Sequence, residues 1–447
     1  MNRATVKADN PSTQTPPAFL AWRRQVLLAT WLGYIGYYLT RNVFTTCKKS
    51  IASTGHFGSL DQVAHLWAAY HCSYMVGQFL VSALGRRTGA RLLLATGLGL
   101  SIAVNLLIGG VNSYGSFLLL MVINGCAQAT GWPGCVAGVA HWIAPRERAW
   151  TLGIWSTNLV VGNILVKLIA ALLLVRWGWN YAFMGCALLT LAIWGVVCLW
   201  VRERPEEVGL LPPPDVAGAA RLTPSESGAA QLSFREYLEL ATQPAILIMG
   251  AGYFAVKWVR YSLDSWLPTF YQFQDVSVLV SAKYAALFDV GGLWGMVLAG
   301  WAIHRFFSGN WGLLCLLLGL GMIVTYGFVY AVSPVPWIAA CCFTLIGMMV
   351  YGADSLLKGF ACVEVAGPRH GAAVAGVVNG IASLAPVIQE IWIASWLRPK
   401  DDPLLGIRHA HLLGLWFSGL LVAAMACLVW RQALLERIRG TSRHKAS

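Results

Sequence analysis

Charged residues are scarce in this chain of 447 residues. Asp, Glu, Lys and Arg together make up 11% of it, against about 25% in an average soluble domain. Acidic residues are the rarest, with 19 Asp and Glu against 32 Lys and Arg. The cations fall mostly in short connections between apolar runs, where they act as topology signals of membrane proteins. The formal net charge of +13 therefore does not indicate nucleic-acid binding, and we expect none.

Several chemical motifs are also missing. The eleven cysteines are scattered and form no CxxC pair, which argues against a disulfide framework or a metal site. We find no phosphate-binding loop, no Ser-His-Asp arrangement in a plausible context and no cluster of metal ligands. The sequence therefore predicts neither an enzyme nor a cofactor. Residues 1–21 contain no apolar run of the signal-peptide kind, so we expect the first span itself to direct membrane insertion.

Long apolar runs dominate what remains. Hydrophobic residues make up 57% of the chain and the mean hydropathy is +0.61. A run of about 20 apolar residues is long enough to cross the hydrocarbon core as a helix. We predict an all-α membrane protein, embedded in a lipid bilayer, with about twelve transmembrane helices. The predicted spans are 25–45, 63–84, 92–111, 115–141, 150–174, 181–201, 244–271, 283–303, 311–332, 336–362, 371–396 and 410–430.

A polar segment rich in Pro, Gly and Ser divides these spans into two sets of six. It covers 202–243 and is too hydrophilic to enter a bilayer, so we interpret it as a cytoplasmic linker. The predicted organisation follows from it. An N-terminal tail (1–24) precedes a six-helix bundle (25–201), and a second six-helix bundle (244–430) follows the linker and ends in a C-terminal tail (431–447).

The distribution of cations predicts the orientation. Basic residues precede the first span and follow the even-numbered spans, as at Arg23, Arg24, Arg86, Arg87, Arg91, Arg146, Arg148, Arg202, Arg204, Arg305, Arg369 and Arg431. By the positive-inside rule, both termini and the linker are expected in the cytoplasm, with the chain in the inner membrane. Lys48, Lys49 and Arg176 are exceptions.

The two halves of the chain also resemble one another, since residues 131–156 can be laid over residues 351–379. Such parallel repeats are typical of the major facilitator fold.

Motifs spread over nearly the whole chain resemble the organophosphate:phosphate antiporter family, which contains glycerol-3-phosphate and hexose-phosphate transporters and a hexose-phosphate sensor. They include "WRRQVLLATWLGYIGYYLTRNVF", "GWPGC", "WGWNYAF", "RERPEEVGL", "VRYSLDSWLPTFY" and "CVEVAGPRHGAAVAG". The first span looks closest to the sensor.

The resemblance implies that Arg41 in span one and Arg260 in span seven clamp a substrate phosphate between the halves. A guanidinium suits this role because its donors match phosphate oxygens in pairs. From residues alone, Arg41 is equally well explained as a cation reaching the membrane interface.

The chain departs from that family at several positions. Family members commonly have Lys after the first arginine, where this chain has Asn42, and a His-Asn pair in span five, where it has Leu159 and Val160. The family's Asp after span two is replaced by Gly85 or Arg86, and its Asp after span eight by His304. Because those aspartates help to latch helix ends, their loss brings the gating equilibrium into question.

Ionisable residues also appear where the family is mostly apolar, and such residues inside a membrane are functional candidates. They are Lys167, Lys257, Asp354, Lys358 and Glu390. One interpretation is mutual neutralisation, with Asp354 pairing with Lys358 and with Lys167 or Lys358 facing Glu390. Others are a remodelled substrate site, or a coupling proton on Glu390 or Asp354. Tyr34 and Tyr38 either line the cavity or pack, as do His65 and His71 in span two.

These observations lead to one expected function and two alternatives. The first is a secondary transporter that exchanges an organic phosphate, or a related organic anion, for inorganic phosphate by alternating access. The second is a transporter-like receptor that senses a phosphate ester and signals to a membrane histidine kinase. The third keeps the fold but takes a zwitterionic or carboxylate substrate.

Overall fold

The computed structural model describes residues 16–84, 89–211, 234–332, 335–397 and 402–444. Residues 1–15 of the predicted N-terminal tail, most of the predicted linker and the latch position at Gly85 and Arg86 lie outside these ranges. The described chain is helical and contains no strand. Its helices are α1 Pro17–Ser53, α2 Leu60–Leu84, α3 Ala90–Ile108, α4 Tyr114–Gln128, α5 Gly131–Ala140, α6 Pro145–Trp155, α7 Asn158–Trp177, α8 Trp179–Trp200, α9 Phe234–Ala241, α10 Pro244–Phe273, α11 Val278–Arg305, α12 Trp311–Val332, α13 Pro336–Ser355, α14 Ala361–Ala382, α15 Ala385–Trp396 and α16 Pro403–His444.

The helices pack into two bundles, one formed by α1–α8 and the other by α10–α16. In the first, α1 packs against α7 and α8, and α2 against α4. In the second, α11 packs against α13, and α16 against α10 and α12. The approach of α11 to α13 is especially close, because a Cβ added at Gly295 would lie 1.9 Å from the carbonyl oxygen of Met348. Glycine permits such backbone contact, which is common where helices associate in lipid.

Eight helical stretches among the described residues are long and apolar enough to cross a membrane. The first, second, fourth and seventh predicted spans are not among them. The fourth is divided into α4 and α5 by a turn at Ala129 and Thr130, and α1 and α10 each carry at least three charged residues. Charge is tolerated in a spanning helix when it faces the protein interior. The most polar helices are therefore the ones expected to line a cavity.

The first helix is longer than its predicted span of 25–45. It runs from Pro17 to Ser53, so Lys48 and Lys49 lie inside the helix and not in a connection. Lys48 is fully buried. Lys48 breaks the charge pattern used for orientation because it belongs to the protein interior, and Lys49 beside it is half-buried.

The two bundles meet along three helix pairs, which are α1 with α10, α2 with α15, and α7 with α11. Among the described residues, the hydrogen bonds that cross between the bundles involve only five side chains of the first bundle: Asn42, Lys48, Lys49, Asn163 and Lys167. The three of these residues that belong to α1 are Asn42, Lys48 and Lys49, and they lie between Arg41 and the C-terminal end of that helix. The polar contacts therefore hold the bundles together on one side of Arg41, which we call the bridged side.

Candidate functional site

A cavity lies between the two bundles. The first bundle contributes Tyr38, Arg41, Asn42, Thr45, Trp67 and His71, and the second contributes Arg260, Tyr261, Asp264 and Ser265. Arg41 and Arg260 thus line the same space. Arg41 lies on α1 and Arg260 lies on α10, the two helices that meet at the centre of the contact between the bundles. Of the nine residues proposed from the sequence, these two and Tyr38 line the cavity.

Arg41 is incompletely satisfied. Its Nε donates to Oε1 of Gln128 at 3.2 Å, and its guanidinium lies over the rings of Tyr38 and Tyr74 at 5.1 and 5.2 Å. Its Nη2 is buried and has no hydrogen-bond partner among the described residues. A buried charged donor without an acceptor is costly. Arg41, a residue of the cavity wall, therefore has one charged donor that no acceptor of the described chain satisfies.

Arg260 is held by a carboxylate. Its Nη1 donates to Oδ2 of Asp354 at 3.0 Å, and its guanidinium lies 4.3 Å from the ring of Tyr351. Asp354 is fully buried and also accepts from Lys358 at 3.2 Å and from Tyr253 at 3.1 Å. The pairing of Asp354 with Lys358 predicted from their spacing is therefore present. Both residues lie behind Arg260 and do not line the cavity.

The remaining basic and aromatic candidates are also set back from the cavity. Lys257 donates to Oδ1 of Asn379 at 2.8 Å and to the Ser383 hydroxyl at 3.2 Å. Tyr34 is buried among aromatic rings, including those of Tyr38 and Trp132. Neither is part of the cavity wall described above.

A second group of charges connects the bundles beside the cavity. Lys167 of α7 donates to Asp264 of α10 at 2.9 Å and to Asp289 of α11 at 2.6 Å. Asn163 donates to the same two carboxylates at 2.6 and 2.8 Å, and Asn42 donates to Asp264 at 3.3 Å. Lys167 is thus paired with acids of the second bundle and lies outside the cavity wall.

The partner predicted for Glu390 was wrong. Neither Lys167 nor Lys358 faces it. Glu390 of α15 instead forms a fully buried ion pair with Lys48 of α1, and the Ser265 hydroxyl hydrogen-bonds to both partners. The prediction failed because Lys48 was assigned to a connection, whereas α1 continues past it.

Sequence reasoning missed Asp264 as a site residue. It lies four residues after Arg260 on one helix, so both project from the same face, and that spacing was available as a signal. Asn42 was noted only as a departure from the family. No feature of the sequence marked Gln128 as a site residue. A single glutamine in a Gly-rich span does not reveal that it faces an arginine 87 positions earlier in the chain.

Comparison with known proteins decides the family. The family model described as Major Facilitator Superfamily matches residues 27–389. The chain belongs to this superfamily. The predicted fold, about twelve helices in two six-helix halves, is thereby confirmed. The fold also resembles that of a bacterial homologue of the human lysosomal transporter Spinster, solved in an inward-facing and unoccupied conformation. The TM-score is 0.66 at 18% identity, covering 93% of this chain and 96% of that one.

Curated relatives confirm the narrower resemblance to the organophosphate:phosphate antiporter family. The membrane sensor protein UhpC of Salmonella typhimurium is 30% identical over 368 residues, which are 81% of this chain and 83% of the relative. A probable hexose phosphate transport protein of Chlamydia pneumoniae is 26% identical over 421 residues, 91% of this chain and 89% of the relative. This superfamily member is therefore similar both to a sensor and to a transporter.

Proposed function

We propose that the protein is a secondary transporter that carries an organic phosphate, or a related organic anion, across the inner membrane in exchange for inorganic phosphate. The observation that carries this proposal is the free Nη2 of Arg41 in a cavity that Arg260 also lines. Two guanidinium groups in a site of low dielectric favour a dianion such as phosphate. The relative named for hexose phosphate transport supports the same class of substrate.

The mechanism that we propose is alternating access. The phosphate group is bound between Arg41 of the first bundle and Arg260 of the second, so binding adds a contact from each side and favours closure of the cavity around it. The bundles 25–201 and 244–430, joined by the linker 202–243, then rock about the site. We place both termini in the cytoplasm, as the positive-inside rule predicts, and infer from this that the bridged side is the outer side and that it is closed in this state.

The second candidate function is a receptor for a phosphate ester that signals to a membrane histidine kinase. The similarity to the membrane sensor UhpC favours it, as does His304, an exposed residue where the family's latch aspartate would be. A receptor and a transporter need the same anion site. They differ in whether the anion crosses the membrane, so a measurement of anion transport distinguishes the transporter from the receptor.

The test is counterflow of labelled phosphate in proteoliposomes, together with equilibrium binding of labelled phosphate to the purified protein. We expect wild-type protein to bind phosphate and to exchange it for glucose 6-phosphate or glycerol 3-phosphate. We expect Arg41→Lys and Arg260→Lys to lose at least tenfold in phosphate affinity, because lysine keeps the charge but lacks the planar pair of donors.

Arg176→Lys is the matched control, since Arg176 is exposed near the end of α7 and should have no effect. Binding without exchange would favour the receptor. Binding and exchange that are unaffected by both cavity substitutions would eliminate the proposed site, and absence of phosphate binding in the wild type would eliminate the proposed function.

A further inference from the structure

His71 of α2 lies in the cavity wall with Arg41 and Arg260, and the proposed mechanism does not use it. Its ring is packed between aromatic side chains of both bundles. The ring centroid is 4.9 Å from that of Trp67 and 5.3 Å from that of Tyr70 in the same helix, and 5.8 Å from that of Tyr261 in α10. The imidazole is therefore fixed in place.

The nitrogens of this ring have no hydrogen-bond partner within the described ranges of the chain. Buried polar groups normally have one, and a neutral imidazole offers one donor and one acceptor. Only 9% of His71 is exposed. A polar ring held by its neighbours in a cavity wall, with its nitrogens unused, is suited to hydrogen-bond to whatever fills the cavity.

The position of His71 indicates which part of a ligand it meets. The imidazole and the Arg260 guanidinium both lie near the Tyr261 ring, at 5.8 and 5.6 Å from its centroid. Trp67 next to His71 adds an apolar surface. The proposed mechanism assigns the two arginines to the phosphate, which leaves His71 and Trp67 in the same cavity wall for contacts with the organic part of the substrate.

We propose that His71 is a specificity residue that hydrogen-bonds to a hydroxyl group on the organic part of the substrate. This inference rests on the proposed function, because it assumes that the arginines hold the phosphate.

The test is displacement of labelled inorganic phosphate from purified full-length protein by glucose 6-phosphate, glycerol 3-phosphate and methyl phosphate. His71→Phe removes the hydrogen bond and keeps an aromatic ring in the packing. We expect the half-displacing concentration of the two hydroxylated esters to rise about tenfold, the loss of about one hydrogen bond. The affinities of phosphate and of methyl phosphate, which has no free hydroxyl, should change less than twofold.

Two further variants make the result specific. His71→Gln keeps a donor and an acceptor and should restore most of the affinity for the hydroxylated esters. His65→Phe is the matched control in the same helix, because the Nδ1 of His65 is 2.7 Å from the carbonyl oxygen of Asp61 and the residue is not part of the cavity wall.

Equal weakening of phosphate and of all three esters in His71→Phe would overturn the proposal, because His71 would then hold the phosphate or only shape the cavity. No change in any of them would overturn it as well, as would a failure of the hydroxylated esters to displace phosphate from wild-type protein. Failure of the wild type to bind phosphate would overturn the proposed function itself, so the two failures are distinguishable.

Discussion

Lys48 and Glu390 form an ion pair in which both side chains are fully buried, and it joins the first helix of one bundle to α15 of the other. The ammonium also lies 3.6 Å from the centroid of the Trp266 ring. Removing one partner of a buried pair leaves an uncompensated charge, which typically costs 3–5 kcal/mol. Each of the two charges therefore depends on the other, although the pair as a whole contributes less to stability than this cost.

The first prediction concerns this pair. Lys48→Met and Glu390→Gln should each lower the thermal unfolding temperature, and the double variant Lys48→Met with Glu390→Met should recover much of the loss because no unpaired charge remains. Thermal unfolding of the detergent-purified protein measures it. Arg235→Ala is the control, since it removes an exposed ion pair with Glu239 and such pairs contribute little. A double variant less stable than either single variant would contradict the prediction.

The second prediction concerns whether a lysine at position 42 can replace Lys167 as the cation that pairs with Asp264. Lys167→Met leaves Asp264 and Asp289 without their cation and should destabilise the protein by about 3 kcal/mol. Adding Asn42→Lys should restore stability, because the Asn42 amide already lies 3.3 Å from the Asp264 carboxylate and the related family commonly has Lys there. Chemical unfolding of the single and double variants tests this. If Asn42→Lys worsened the single variant, the two positions would not share one role.

The third prediction concerns the charge of the anion site. Gln128→Glu places a carboxylate where the amide oxygen now accepts from Arg41. The new ion pair would compete with a bound anion, so phosphate affinity should fall at least tenfold. Gln62→Glu, at an exposed position near the start of α2, makes the same change of charge away from the cavity and should have no effect. Unchanged phosphate binding in Gln128→Glu would exclude Arg41 from the site.

The fourth prediction concerns helix packing. Gly295→Ala would bring a Cβ to 1.9 Å from the Met348 carbonyl oxygen and force α11 away from α13. Overpacking of this kind costs about 1–3 kcal/mol or more, so a clear drop in unfolding temperature is expected. Gly300→Ala in the same helix is the control, because an added Cβ there meets nothing within 4 Å. Equal stability of the two variants would contradict the close approach.

Much of the architecture could be predicted because length and hydropathy are read directly from the chain. The helical spans and the pairing of Asp354 with Lys358 needed only local periodicity. The partner of Glu390 was out of reach because Lys48 precedes it by 342 positions, and distant helices meet only through the tertiary fold. The role of Asp264 was predictable in principle, since its spacing from Arg260 is one helical turn, but no local rule says that an acid on that face meets a lysine of α7.

Polar side chains at three successive depths on α1 serve different partners. Arg41 faces the cavity, Asn42 meets Asp264, and Lys48 meets Glu390. An α-helix rises 1.5 Å per residue, so Arg41 and Lys48 are about 10 Å apart along one continuous rod. A tilt of that rod displaces both residues together. In the proposed mechanism, anion binding at Arg41 and separation of the bundles at Lys48 would consequently be coupled through one rigid helix, without a relay of intermediate side chains.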